Sequence, residues 1–262
     1  MTKNALPQFL VDQMGDLVER FTTAITSIPV GDDRLPPGDH HGTGWLIDID
    51  GHPFICTCEH VANFQNEGVL GYSCYGSANG ISVGKEFELH PLPLDFAIAS
   101  LNSSWGIISH QGVCIPQSMI AAVHSPVEGE YLYFYGFPGS EAKALFEEHY
   151  IQGTGVFMHE IEFVQKTLEE EPRADPEMHI CMSLSPVDAI PLTPGTRELP
   201  LPQGMSGSAL WNTRYREVTD QGKKWAPEDA RLTGIVWGAS QKTGVAVATP
   251  IEHFRHLMRM PV

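Results

Sequence analysis

Cysteine is scarce: five in 262 residues leave one over in any disulfide scheme. With charges spread through the first residues and no apolar leader segment, that scarcity points to a reducing compartment, the cytoplasm of a bacterium. Basic residues are few as well, 16 Lys and Arg against 32 Asp and Glu, for a net charge of −16. A phosphate-binding surface needs clustered cations, so nucleic acid is not an expected partner. No stretch approaches the roughly 20 apolar residues that cross a bilayer, which leaves no membrane partner either. Cys56 and Cys58 fall on one face of a strand, but without a second cysteine pair they make weak zinc ligands, and His253 with His256 lacks a third ligand nearby. Neither a metal nor a cofactor is expected. Internal repeats and low-complexity segments are also missing.

What is abundant is glycine and proline, 25 and 20 residues, the punctuation of many short strands and tight turns, so the expected class is all-β. Gly42-Thr43-Gly44-Trp45-Leu46-Ile47, then Asp50-Gly51, then Phe54-Ile55-Cys56 reads as two strands joined by a hairpin turn. Tyr131 to Tyr135 alternates aromatics as a core strand does. Glu169-Glu170-Glu171-Pro172 and the polar stretch from Thr213 to Glu228 read as exposed loops.

Three segments carry chemistry. Gly204-Met205-Ser206-Gly207-Ser208 sets a serine between glycines, where a tight turn can thrust its hydroxyl outward. Thr57-Cys58-Glu59-His60 ends an apolar strand on a histidine, and Leu94-Asp95-Phe96 opens one on an aspartate. A serine hydroxyl needs an imidazole to take its proton, and that imidazole needs a buried carboxylate to fix its tautomer and support its transient charge. His60, Asp95 and Ser206 supply these parts in the order His, Asp, Ser.

On these motifs the chain resembles the trypsin-like serine proteases, nearest in flavour to bacterial Deg-type and glutamyl-endopeptidase-type members without a PDZ domain. The resemblance implies two six-stranded antiparallel Greek-key β-barrels of the chymotrypsin type, with an N-terminal and a C-terminal helix. It implies a serine endopeptidase acting on polypeptide through an acyl-enzyme on Ser206, with His60 as base and Asp95 as its orienting carboxylate. The oxyanion donors would be the N–H groups of Gly204 and Ser206, and Val236, Trp237 and Gly238 would form the substrate-binding strand. Two other readings stand beside it, a catalytically silent binding or scaffold module and an esterase using the same triad.

The expected organisation is a helix and linker over residues 1–30, a first barrel over 39–122 holding His60 and Asp95, a second over 123–252 holding Ser206, and a terminal helix over 250–262. The helix reading extends from Met1 to Ile28 on the spacing of Leu6, Leu10, Met14, Leu17, Phe21, Ala24, Ile25 and Ile28; its sharper form is a contact for a regulatory protein partner. The chain departs from the digestive relatives at Met205, where they carry an aspartate that captures a new N-terminus, so activation by cleavage is not expected. Nor is a basic residue favoured before the cut, because Pro200 stands where a specificity aspartate would.

Overall fold

In the computed structural model, residues 6–34, 37–77, 79–139, 142–145, 148–163, 174–184, 190–191, 203–240 and 242–258 are described. The acidic run 169–172 and Pro200 lie outside them.

The first sheet has seven strands: β1 (Thr22–Pro29), β2 (Asp39–Ile49), β3 (His52–Thr57), β4 (Gly68–Ser73), β5 (Ile81–Ser82), β6 (Glu88–His90) and β7 (Phe96–Ser100). Their order across the sheet is β5-β4-β1-β2-β3-β7-β6. The second half of the chain contributes β8 (Leu132–Gly136), the separate pair β9 (Ala142–Leu145) and β10 (Glu148–Ile151), β11 (Thr154–Met158), β12 (Glu160–Ile161), β13 (Ile180–Ser183), β14 (Ile190–Pro191), β15 (Ser208–Asn212), β16 (Arg231–Ser240) and β17 (Val245–Pro250). Eight of these form a sheet in the order β12-β13-β17-β16-β15-β8-β11-β14. Strands β5, β12 and β14 are only two residues long. Without them each sheet has the six strands expected, antiparallel throughout and curled into the two-barrel architecture.

The hairpin between β2 and β3 turns at Asp50 and Gly51, with φ of 53° and 80°, the left-handed pair that a two-residue loop between twisted strands requires. Along β8 the alternation sorts side chains into two cores. Leu132 and Phe134 enter the interior of the second sheet with Met182, Leu210 and Val236, while Tyr131 and Tyr133 face the larger core shared with the first sheet and the N-terminal helix.

That helix, α1 (Gln8–Val18), is shorter than the sequence pattern suggests. Leu10, Met14 and Val18 bury their side chains, and Phe21, in the short 3₁₀ turn that follows, stacks on Trp211 at 5.7 Å. Ala24, Ile25 and Ile28, expected on the same helix, belong instead to β1, between β2 and β4. A strand with pairing partners on both edges and buried residues on both faces loses the period-2 signature, and three apolar residues at offsets of one and three then mimic a helical face. The first sheet therefore begins at residue 22 and not near 39.

The stretch from Thr213 to Glu228 is also not a solvated loop. It forms α3 (Tyr215–Asp220), and Trp225, 4 % exposed, donates its indole N–H to Thr213 O at 2.7 Å. Phe9 of α1 meets the rings of Tyr215 and Trp225 at 5.9 and 6.3 Å. Buried Glu130 accepts the N–H groups of Arg216 (3.1 Å) and Glu217 (3.0 Å), so a distant carboxylate caps this helix. At the C-terminal end, α4 (Ile251–Phe254) and a 3₁₀ turn through Met258 bury Ile251, Phe254 and Met258. None of the five cysteines is in a disulfide. Among the described residues no helix is long and apolar enough to cross a membrane.

Candidate active site

The three chemistry-bearing segments meet at the seam between the sheets. Pairing of Thr57 at the end of β3 with Ala97 near the start of β7 brings the residues just beyond and just before those strands together. His60 lies in the one-turn helix α2 (Glu59–Ala62) after β3, and Asp95 immediately precedes β7. Both carboxylate oxygens of Asp95 are engaged by His60: Oδ1 accepts its backbone N–H at 3.0 Å and Oδ2 accepts Nδ1–H at 2.7 Å. With Nδ1 donating, the neutral ring has its lone pair on Nε2. Asp95 is 2 % exposed, whereas the His60 side chain is half open to solvent. Burial alone would lower the His60 pKa; the Asp95 hydrogen bond and charge more than offset it and hold the imidazole above its ordinary value.

Ser206 sits in the turn before β15. The carbonyl of Ser206 accepts Thr43 N–H at 2.9 Å and that of Gly204 accepts the Thr43 hydroxyl at 2.8 Å, tying the turn to β2. Gly207 approaches so closely that a Cβ there would stand 2.1 Å from Thr43 O and 2.3 Å from Thr57 Oγ1, and its φ of 92° also demands glycine. The same added Cβ would lie 3.2 Å from Cys58 N, two residues from His60. Val236 O accepts both Gly207 N–H, at 2.9 Å, and the Cys58 thiol, at 3.5 Å. The Ser206 hydroxyl donates to Trp237 O at 3.3 Å, and among the described residues no hydrogen bond joins it to His60.

Peptide planarity fixes two further donors. Gln203 O accepts Gly139 N–H at 2.8 Å, so the N–H across that peptide, Gly204's, points the opposite way. Met205 O accepts Ser208 N–H at 3.2 Å and the Ser208 hydroxyl at 2.7 Å, which turns Ser206 N–H away in the same manner. Neither N–H has an acceptor among the described residues. At Gly204, with φ of 88°, an added Cβ would meet His40 Nε2 at 2.5 Å.

Next to this turn, β15 stops pairing with β16 at Ser208↔Val236, while β17 pairs with β16 on to Ser240↔Val245. Among the described residues, one edge of the backbone from Trp237 to Ser240 is therefore without a strand partner beside Ser206. Trp237 is buried and Gly238 has no side chain, so the end of this stretch nearest Ser206 offers backbone.

Cys58, His60 and Asp95 place one ligand-type atom each within 4.8 Å of one another. Burial and then the Asp95 charge push the Cys58 thiol well above its ordinary range, opposite to what a metal thiolate needs, and the other two groups already bind each other.

The sequence pattern leaves Thr43 and Thr57 as ordinary strand residues. Thr43 accepts Phe137 N–H at 3.0 Å besides holding the Ser206 turn, and Thr57 donates to Thr43 O at 2.7 Å. Their only sequence signals are the glycines around Thr43 and the closeness of Thr57 to His60.

No protein-family model matches the chain, and no curated protein is similar to it in sequence. Among solved structures it is similar to the Rv3671c protease from M. tuberculosis in its active form, at 13 % identity over 98 % of this chain and 89 % of that one, with a TM-score of 0.54. A Sesbania mosaic virus VPg structure aligns at 15 % identity over 90 % of this chain and 87 % of that chain, with a TM-score of 0.47. The likeness to the first defines the fold, a chymotrypsin-like pair of β-barrels.

Proposed function

We propose that the protein is a serine endopeptidase. Ser206 Oγ attacks the scissile carbonyl carbon as its proton passes to His60 Nε2, and the peptide C–N bond breaks as that proton is delivered to the leaving amine. Water then cleaves the acyl-enzyme by the same base. Asp95 keeps His60 in the Nδ1–H tautomer, and the N–H groups of Gly204 and Ser206 receive the charge on the former carbonyl oxygen. The substrate is an extended polypeptide that adds as a strand along Trp237 to Ser240, with Val236, Trp237 and Gly238 at its inner end. Five cysteines without a disulfide fit a reducing compartment.

The observation that carries this reading is the meeting at one seam of a doubly bonded His60–Asp95 pair and a serine turn whose two N–H groups are aimed by anchored carbonyls. A second reading, a silent protease-like binding module, draws on the Ser206 hydroxyl bonding Trp237 O in place of His60. In the enzyme, a rotamer change of that side chain is the step that arms the site.

A fluorophosphonate probe separates the two. Stoichiometric labelling abolished in Ser206→Ala and in His60→Ala supports the enzyme, with peptide turnover falling by about 10⁴ to 10⁶ and the double variant little worse than either single one. Absence of labelling in correctly folded wild-type protein overturns it.

A further inference from the structure

We propose that His179 is a positioning residue for Asp95, a neutral imidazole in the turn before β13 that holds the turn carrying this carboxylate and so sets the geometry of the His60–Asp95 pair. Asp95 has a left-handed backbone, φ 45°, which aspartate tolerates but does not prefer. Something must hold it there, and both carbonyls just before it are gripped from the other sheet. Pro93 O accepts His179 Nε2–H at 2.7 Å, and Leu94 O accepts the Thr249 hydroxyl at 3.0 Å. The second grip comes from β17; the first comes from the residue just before β13.

The His179 ring has no freedom to choose its tautomer. Asp175 N–H donates to Nδ1 at 2.8 Å, so Nδ1 carries the lone pair and Nε2 the proton. The turn from Asp175 to His179 closes on itself, with His179 N–H on Asp175 O at 2.8 Å, and the ring rests against Trp237 at 4.9 Å. His179 is 4 % exposed. The charged and titratable groups around it are Asp175 on its own turn, Asp95 across the seam and His253 on α4; burial outweighs the Pro93 carbonyl and the two carboxylates and lowers the pKa of the ring below its ordinary value. A protonated Nδ1 would face an N–H and lose that bond. One side chain thus links the Asp95 turn to Trp237, the residue whose carbonyl holds the Ser206 hydroxyl.

The kinetic consequence rests on the endopeptidase reading; the structural one does not. His179→Gln can restore a donor to Pro93 O, His179→Asn can restore only the acceptor for Asp175 N–H, and His179→Phe keeps a ring on Trp237 with neither bond. The proton on His60 Nδ1, seen as a low-field NMR resonance, is expected to persist in wild type and His179→Gln and to shift or broaden in His179→Asn and His179→Phe. Peptide kcat/KM is expected to fall about tenfold to a hundredfold in the latter two and to stay within about threefold in His179→Gln, as a small displacement of the catalytic pair predicts. Unchanged His60 resonances in folded Asn and Phe variants overturn the proposal. If the resonance follows residue 179 while wild type cleaves no peptide, the endopeptidase reading fails and this one stands. If cleavage depends on Ser206 but neither rate nor resonance depends on residue 179, the reverse holds. Should a variant not fold, ¹⁵N-histidine spectra of wild type decide: His179 is expected as the Nε2–H tautomer and to titrate below the unperturbed pKa of about 6.5. An Nδ1–H tautomer, or titration at that unperturbed value, overturns the inference.

Discussion

Replacing Ser208 by alanine asks whether the Ser206 N–H is aimed from behind. The Ser208 hydroxyl is fully buried and bonds Met205 O at 2.7 Å, while Ser208 N–H bonds the same carbonyl at a longer 3.2 Å. Deleting the hydroxyl removes the shorter bond without orphaning the carbonyl, so the stability cost is that of one neutral hydrogen bond, about 1 kcal/mol. For a chain of this size that is a fall of about 2–4 °C in Tm. The catalytic cost follows different arithmetic. Complete loss of an oxyanion donor costs about 10² to 10³ in kcat. A Met205–Ser206 peptide held by one longer bond still presents its N–H but tilts more freely, and we expect about tenfold, equivalent to ~1.4 kcal/mol of barrier. Because this donor meets charge only as it develops, kcat should fall with KM nearly unchanged. The assay is steady-state hydrolysis of a chromogenic peptide beside a thermal melt. A kcat within twofold of wild type despite the lower Tm would refute the claim that the hydroxyl sets this peptide plane.

The remaining expectations are simpler to state. Since His60 must be neutral to act and Asp95 raises its pKa, activity should be lost as pH falls through a value above the ordinary ~6.5, read from the acid limb of kcat/KM; a limb below 6 contradicts it. The pKa shift has the opposite sign at His40, His41 and His179, whose folded values are lowered chiefly by burial. The unfolded chain takes up their protons first, so Tm should decline as pH drops below about 6.5, measured by calorimetry. Leu10→Ala or Met14→Ala, each emptying a fully buried site under α1, should cost about 2–5 kcal/mol, or about 4–20 °C in the melt. A change under 1 °C would mean the helix is not docked in solution.

The motif residues were legible because each is local. A serine between glycines, a histidine after an apolar strand and an aspartate before one can be read in short windows, and their order in the chain supplies the rest. The residues that support them were not legible, for reasons of range. Thr43 reaches Gly204 across 161 positions and His179 reaches Pro93 across 86. Nothing in a window around His179 distinguishes a strut from a surface histidine. β1 fails for a different reason: buried on both faces, its apolar residues carry no period of two, and they continue the stripe of α1 by coincidence. The segment from Thr213 to Glu228 reads as polar because Glu130, which caps its helix, lies more than 80 residues away, at a separation of 86 from Arg216.

Met205 shows how the serine turn can be organised without an ion pair. Its side chain is 4 % exposed and joins Leu132, Leu210 and Val236 in the interior of the second sheet. Burying a methionine there contributes about 1.5–3 kcal/mol, and its carbonyl is held by Ser208. Neither Met205 nor the Ser208 hydroxyl is an ion at neutral pH, so this anchor uses no ammonium group. What remains adjustable is the seam. Thr43 holds the turn from the first sheet, and His179 and Thr249 hold the Asp95 turn from the second, so the two halves of the site are each gripped by the opposite sheet. A small relative displacement of the sheets would strain both grips at once. Any control of Ser206 reactivity should therefore act on how the sheets sit together, and its trace should be a change in the His60–Asp95 bond that accompanies the change in rate.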